Sequence, residues 1–263
     1  MDIITMINKD EERGIDIIFR FFEEKYTKAD IRSLLFDTQK YGNLTIRRGV
    51  AELAEEFNKL QVKDNNEIRK WYTDTEFYIF DLWPWNGCSM YEDKVKLISE
   101  YLIPFKPTTI VDFGGGLGTA CIYYRERFPD AKIIYVDLKD SITMKFAKFF
   151  IKEMNVQNVE FMSDQEFFDS NVIASVITST DCFEHISNLE ETMYKLAEHT
   201  NVIIHDSSFM SEEVSPQHVQ TNGMLWFVNV MSAMNFLPVR VMNVLVRHKI
   251  VFNQNMELAI VPV

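Results

Sequence analysis

From Gly14 to Tyr26 apolar side chains return at the helical interval. Ile15, Ile18, Phe19, Phe22 and Tyr26 fall on one face, with Glu23, Glu24 and Lys25 partly opposite. Residues 29–42 and 45–60 carry the same period, and Gly42 stands where a C-cap glycine would end the first of these helices. The texture changes at the prolines of residues 104–109. Beyond them, short runs rich in β-branched residues at 108–113, 131–137, 158–162, 172–179 and 201–206 read as strands. Helical stretches at 119–128, 140–154 and 188–199 separate them, and this alternation predicts a parallel sheet with crossover helices. The tail reads as a buried helix over 221–236 and two strands, 240–252 and 256–263, joined by a short turn at 253–255. Strands joined that tightly must be antiparallel. The expected fold is therefore α/β: a doubly wound, mostly parallel seven-stranded sheet closed by a C-terminal antiparallel hairpin, plus an N-terminal helical region. Residues 1–106 would be a helical cap or lid and 107–263 the sheet domain.

Charge narrows the partners. The formal net charge is −12 over 263 residues, with 20 acids against 16 bases up to Lys106 and 19 against 11 beyond it. Neither half offers the positive footprint that nucleic-acid binding needs, so no nucleic acid is expected. Cys88, Cys121 and Cys182 form no CxxC pair, which fits a reducing compartment. The first residues lack the basic and apolar regions of a secretory leader, and no apolar run reaches the roughly 18–20 residues of a membrane span. A cytoplasmic protein without membrane contact is the expectation. The first helix has too few Lys and Arg on its polar face for an interfacial helix. Its apolar face packs on the chain's own core or on a second copy in a homodimer.

Four of only nine glycines crowd into five positions, Gly114, Gly115, Gly116 and Gly118, where a strand ending Val111-Asp112-Phe113 turns into a helix. A backbone without Cβ atoms can approach a ligand closely there, and the helix N-terminus offers free N–H groups. The dinucleotide fingerprint G-x-G-x-x-G/A fails in both registers, because its last position falls on Thr119 or Cys121. The pattern D-h-G-x-G-x-G is met by Asp112, Gly114, Gly116 and Gly118.

On that motif and the order of elements around it, residues 108–263 resemble the class I S-adenosylmethionine-dependent methyltransferases. The resemblance implies S-adenosylmethionine as cofactor, held at Asp112, Gly114, Gly115, Gly116 and Gly118. It gives Asp137, at the end of the second strand, the ribose hydroxyls, with Leu138 beside it. Ser163 and Asp164, just past the third strand, would meet the adenine. The plain readings are a helix cap near Asp137, for which Asp140 is available, a solvated turn at Asp164 and a loop-organising role for Asp112.

Methyl transfer asks chiefly for alignment and exclusion of water, with a base only where the acceptor must lose a proton. The loop after the fourth strand, "STDCFEHI", brings Thr180, Asp181, Glu184 and His185 to the carboxyl edge of the sheet, where such folds bind ligands, and Thr180 and Asp181 are expected to contact the cofactor. The fifth strand brings His205 to the same edge. Glu184 and His205 resemble a polar pair in the cyclopropane fatty acid synthase branch. This implies His205 as the group that takes the acceptor proton, Glu184 as its orienting partner and His185 in reserve. A related branch binds a divalent metal through E-x-x-E-H. Asp181, Glu184 and His185 give only the degenerate D-x-x-E-H, and no metal is expected.

The stretch 71–91 holds eight aromatics in 21 residues. Aromatic side chains with few polar groups line sites for small organic molecules, so Tyr78, Trp83 and Trp85 are candidate walls for a methyl acceptor. The Trp-Pro-Trp run is expected to be a turn, not a helix or central strand. His218, in a later connection, is a further candidate for substrate contact. The leading reading is a methyltransferase acting on a small organic molecule, chiefly at oxygen. A protein methyltransferase and a catalytically silent cofactor-binding subunit are the alternatives.

Overall fold

The computed structural model describes residues 11–23, 25–60, 64–207, 218–219, 223–234, 236–241 and 248–253. Its centre is a sheet of five parallel strands: β3 (Thr109–Phe113), β4 (Lys132–Asp137), β5 (Val159–Ser163), β6 (Val176–Thr180) and β7 (Val202–Asp206). They stand in the spatial order β5-β4-β3-β6-β7. The order reverses between β3 and β6, and a crevice opens at such a switch point beyond the carboxyl ends of the strands. The crossovers run through α7 (Thr119–Arg127), α8 (Ile142–Glu153), α9 (Asp164–Phe168) and α10 (Leu189–His199). Ser141, not Asp140, caps α8 by accepting a hydrogen bond from the Met144 N–H, while Asp140 takes a left-handed conformation with φ 56°.

Past α11 (Gly223–Ala233) the chain departs from the expected tail. The anticipated strand over 240–252 is instead divided between β8 (Phe236–Val241) and β9 (His248–Asn253), which pair antiparallel, with β9 antiparallel to β7. Of that expected strand only Arg240 and Val241 fall in β8, and β9 takes it up again from His248; thirteen residues are about twice the usual strand length of roughly 5–6. The expected last strand, 256–263, lies outside the described residues, as does the connection 242–247.

In front of the sheet lie α1 (Glu11–Phe21), α2 (Lys28–Phe36), α3 (Arg48–Asn58), α4 (Asn65–Asp74), α5 (Phe77–Asn86) and α6 (Ser89–Leu102). Two expectations fail here. Residues 38–47 are not helical: β1 (Thr38–Tyr41) and β2 (Leu44–Arg47) form an antiparallel hairpin, and Gly42 sits in its two-residue turn with φ 56°. A Gly-Asn pair between short strands suits such a turn better than a helix cap. The Trp-Pro-Trp run is the last turn of α5, with Pro84 inside the helix. Proline there removes only the N–H that would reach Phe80, and the turn is still closed by Gly87 N–H donating to the Trp83 carbonyl at 3.1 Å.

One apolar core joins these helices to the sheet, from Ile15, Ile18 and Phe80 through Phe146 and Phe150 to Ile133 and Ile204. On the opposite face a second core gathers Val111, Ile134, Ile177 and Ile203 with Phe183, Met193 and Phe227. Odd and even strand residues therefore serve different layers. No helix among the described residues is long and apolar enough to cross a membrane.

Candidate active site

A cavity of about 320 Å³ opens over the carboxyl ends of β3, β4 and β6 and is roofed by α4 and α5. Gly114, Gly115, Gly116, Asp137, Leu138 and Asp164 line one end. Tyr72, Tyr78, Trp85 and His185 line the other, with Thr180 and Asp181 at the wall from β6.

The glycine loop is tight for two reasons. A Cβ on Gly114 would lie 2.2 Å from Cys182 Sγ, and φ there is +72°. At Gly116, φ is +52° but the nearest atom to an added Cβ is Leu82 Cδ1 at 3.4 Å, so this residue keeps space open on the cavity side. The first glycine serves the protein's own packing and the second the cavity. Gly115 is crowded by the Tyr135 ring, and Gly118 starts α7 without lining the cavity.

Asp137 is fixed from three sides: Gly116 N–H donates to it at 3.0 Å, Leu138 N–H at 2.7 Å, and the Tyr135 hydroxyl lies 2.9 Å away. Burial pushes its carboxyl up to about 6 despite these hydrogen bonds. Tyr135, also 2.8 Å from the Gly116 carbonyl oxygen, braces the loop, and no motif had singled it out. Asp112 lies behind the loop, not on the cavity, within 3.4 Å of Cys121 Sγ and Thr178 Oγ1. Burial raises it to about 7, and its hydrogen bonds run to α7 and β6.

Ser163 is likewise absent from the cavity wall, because its hydroxyl is spent in a capping box with Glu166 at the start of α9. Asp164 does line it. Its Oδ2 is bound by Arg69 of α4 at 2.7 Å, while its buried Oδ1 has no hydrogen-bond partner among the described residues. Thr180 Oγ1 is in the same state. Two buried acceptors at one cavity ask for donors from a ligand.

Asp181 joins the cavity to the helical layer. It accepts from Trp85 Nε1 at 2.9 Å and pairs with Lys94 of α6 at 3.0 Å, and Lys94 also reaches Asp206 at 2.5 Å. Burial works against the Lys94 ammonium, but Asp181 and Asp206 outweigh it and hold its pKa above the ordinary value. Neither Lys94 nor Arg69 carried a sequence signal, since both act through partners about 90 residues away.

Four more expected site residues lie off the cavity wall. Trp83 is 3% exposed and packs between Gly14, Phe146 and Phe150, so it belongs to the core and not to the cavity. Residues 83 and 85 sit about 200° apart around a helix, and only Trp85 faces the cavity. His205 is fully buried between Phe183 and Phe227, with Nδ1 3.3 Å from Ser207 Oγ, and does not line the cavity. Alternation along β7 sends Asp206 to Lys94 and His205 to the opposite layer. Glu184 is 1% exposed in the turn Phe183–His185 and does not line the cavity either. His185 does, with Nδ1 2.8 Å from the Tyr72 hydroxyl. Burial first, then neighbouring negative charge, pushes the Tyr72 and Tyr78 phenols well above their ordinary value, so both are protonated at neutral pH. His218 stands behind His185, ring centroids 4.7 Å apart, and is not part of the cavity wall.

Among curated proteins none matches this sequence significantly. Its backbone resembles that of an O-methyltransferase family protein from Burkholderia thailandensis, with a TM-score of 0.57 and 15% identity over 96% of this chain and 97% of that one. It also resembles magnesium protoporphyrin IX methyltransferase from Synechocystis PCC 6803, solved with bound SAH, with a TM-score of 0.51 and 13% identity over 72% of this chain and 98% of that one. At such identities these likenesses speak for the fold. Residues 88–238 match the family described as "Methyltransferase domain". That match covers more than half of the chain and contains the glycine loop, Asp137 and Asp164, and the protein accordingly belongs to the class I S-adenosylmethionine-dependent methyltransferases.

Proposed function

We propose that the protein transfers a methyl group from S-adenosylmethionine to a small organic molecule, and that the acceptor atom is oxygen. The observation that carries this reading is the single cavity with two unlike ends, main chain and carboxylates at one and aromatic rings with few polar groups at the other. The residues at the first end fit the cofactor. Asp137 is the acceptor for the ribose hydroxyls, the free Oδ1 of Asp164 for the adenine amino group, and Gly116 leaves the room that a side chain would fill. When bound, the cofactor supplies an electrophilic methyl carbon on a sulfonium centre.

The chain's own part is to hold the acceptor in line and keep water out. Trp85 and Tyr78 wall the acceptor, and Trp85 is locked by its hydrogen bond to Asp181. Tyr72 and His185 are the polar groups within reach of an acceptor hydroxyl, in place of the more distant His205. The helical roof over the cavity favours a small molecule over a protein side chain. In this reading residues 1–106 act as the cap of the 107–263 domain, whose sheet is completed to seven strands by the C-terminal hairpin.

A panel of phenols, hydroxy acids, amines and a peptide, followed by release of S-adenosylhomocysteine, tests the assignment. Turnover of hydroxyl acceptors is expected. Turnover of amines or the peptide alone would refute oxygen as the acceptor atom, and failure to bind S-adenosylmethionine would refute the whole reading.

A further inference from the structure

We propose that Glu184, His185 and His218 bind one divalent transition-metal ion behind the acceptor end of the cavity. One ligand atom from each lies within 4.8 Å of the other two. Metal–nitrogen and metal–oxygen bonds of about 2.0–2.2 Å place the ligands of one tetrahedral ion roughly 3.4 Å apart. Side-chain rotation of under about 2 Å closes that difference without moving the backbone.

The environment suits an ion. The Glu184 carboxylate is 1% exposed, and its Oε2 and the Nδ1 of His218 are shielded from solvent. A carboxylate ionised at such depth is favoured by a nearby positive charge, which a dication would supply. The Tyr72 hydroxyl occupies Nδ1 of His185 at 2.8 Å and leaves Nε2 as the ligating nitrogen. For Nε2 to offer its lone pair, Nδ1 keeps the proton and donates it to the Tyr72 oxygen, the usual outer-shell arrangement of a ligating histidine. The two imidazole planes cross at 82°, so an edge of one ring can approach an ion held at the edge of the other.

The ligand set is not the one that the D-x-x-E-H run would suggest. Asp181 is engaged by Lys94 and Trp85, and His218, from a separate part of the chain, joins Glu184 and His185 instead. Two imidazoles and one carboxylate favour zinc, manganese or iron(II) over magnesium or calcium, which prefer all-oxygen shells. Three protein ligands leave coordination positions open. Because His185 lines the cavity, those positions are accessible to an oxygen of the acceptor, whose proton would then be lost at lower pH. This last use rests on the proposed methylation of oxygen; the ion site itself does not.

The test is calorimetric titration of the chelator-stripped full chain with Zn²⁺ and with Mn²⁺, with metal content counted after gel filtration. The expected result is one ion per chain at micromolar affinity or tighter for at least one metal. His218→Ala should weaken it at least tenfold and leave S-adenosylmethionine affinity within about twofold. His218→Gln serves if the alanine variant fails to fold, and Glu184→Gln should weaken binding in the same way. No saturable binding of either ion, or equal affinity in the wild type, His218→Ala and His185→Ala, would overturn the proposal. Ion binding without S-adenosylmethionine binding would keep the site and refute the proposed function, and the converse would do the opposite.

Discussion

The two ends of the cavity are built from different materials. At the glycine end the shape comes from main chain, and Asp137 is held by two backbone N–H groups and one phenol. At the aromatic end it comes from side chains on α4 and α5, held by side-chain contacts across the chain such as Trp85 to Asp181 and Tyr72 to His185. The first can change only if the loop changes. The second can be re-cut by one substitution at a time, which suits a family that keeps one donor and varies its acceptors.

Substitutions can break this contrast, and the largest effect is expected where a residue looks like the acceptor wall but is not. Trp83→Ala should cost about 3–5 kcal/mol of stability, the usual range for truncating a buried large aromatic, with unchanged acceptor KM in whatever protein remains folded. Thermal melting together with steady-state kinetics would read both. Trp85→Ala, two residues on, should raise the acceptor KM about tenfold and melt nearly like the wild type. The reverse pattern would remove Trp85 from the site.

The glycines divide in the same way. Gly114→Ala should destabilise the fold by about 2–4 kcal/mol, since its Cβ meets Cys182 and left-handed backbone adds strain. Gly116→Val should lose S-adenosylmethionine binding beyond about a hundredfold for a smaller stability cost of about 1–3 kcal/mol. Calorimetry and melting on both variants separate the two roles. His205→Ala should behave as a core mutation, with lower thermal stability and kcat within a few-fold of wild type.

Titration gives a further contrast of opposite signs. Asp112 and Asp137, at about 7 and about 6, lie above the ordinary carboxylate value of 3.8. Between that value and pH 7 the folded chain binds more protons than the unfolded one. These two groups therefore make the fold more stable as pH falls through that window and less stable as it rises. Cofactor affinity should run the other way, dropping about tenfold per pH unit below about 6, because ribose hydroxyls donate to an ionised Asp137. Asp137→Asn should flatten that dependence in calorimetry across pH 5–8. The smallest effect is expected for Arg69→Gln. Arg69 is 45% exposed, and its pair with Asp164 should contribute under about 1 kcal/mol and fade with added salt.

The parallel sheet was legible because its strands announce themselves twice, by β-branched runs and by the helices between them. Asp137 and Asp164 were legible as cavity-lining residues through their places at the end of β4 and just past β5. What failed did so for local geometric reasons. Residues 38–47 are too short and too polar to carry a strand period against the helical text around them. Reading Trp-Pro-Trp as a turn discarded the helical phase that separates Trp83 from Trp85. His205 and Asp206 both end β7, but alternation alone does not say which of two neighbours turns to the helical layer; Asp206 does, to Lys94, and His205 packs in the opposite core. Lys94, Arg69 and Tyr135 act through contacts that only the folded chain brings together.

The bridge from Arg69 to Asp164 ties the roof to the cavity wall through one carboxylate, with Oδ2 on Arg69 and, in the proposed function, Oδ1 left for the cofactor. Docking of α4 and occupancy of the cavity are then linked equilibria. Whatever factor a docked roof adds to cofactor affinity, bound cofactor must return to roof docking. A variant that loosens the roof would therefore show itself first as weaker cofactor affinity, before any acceptor is added.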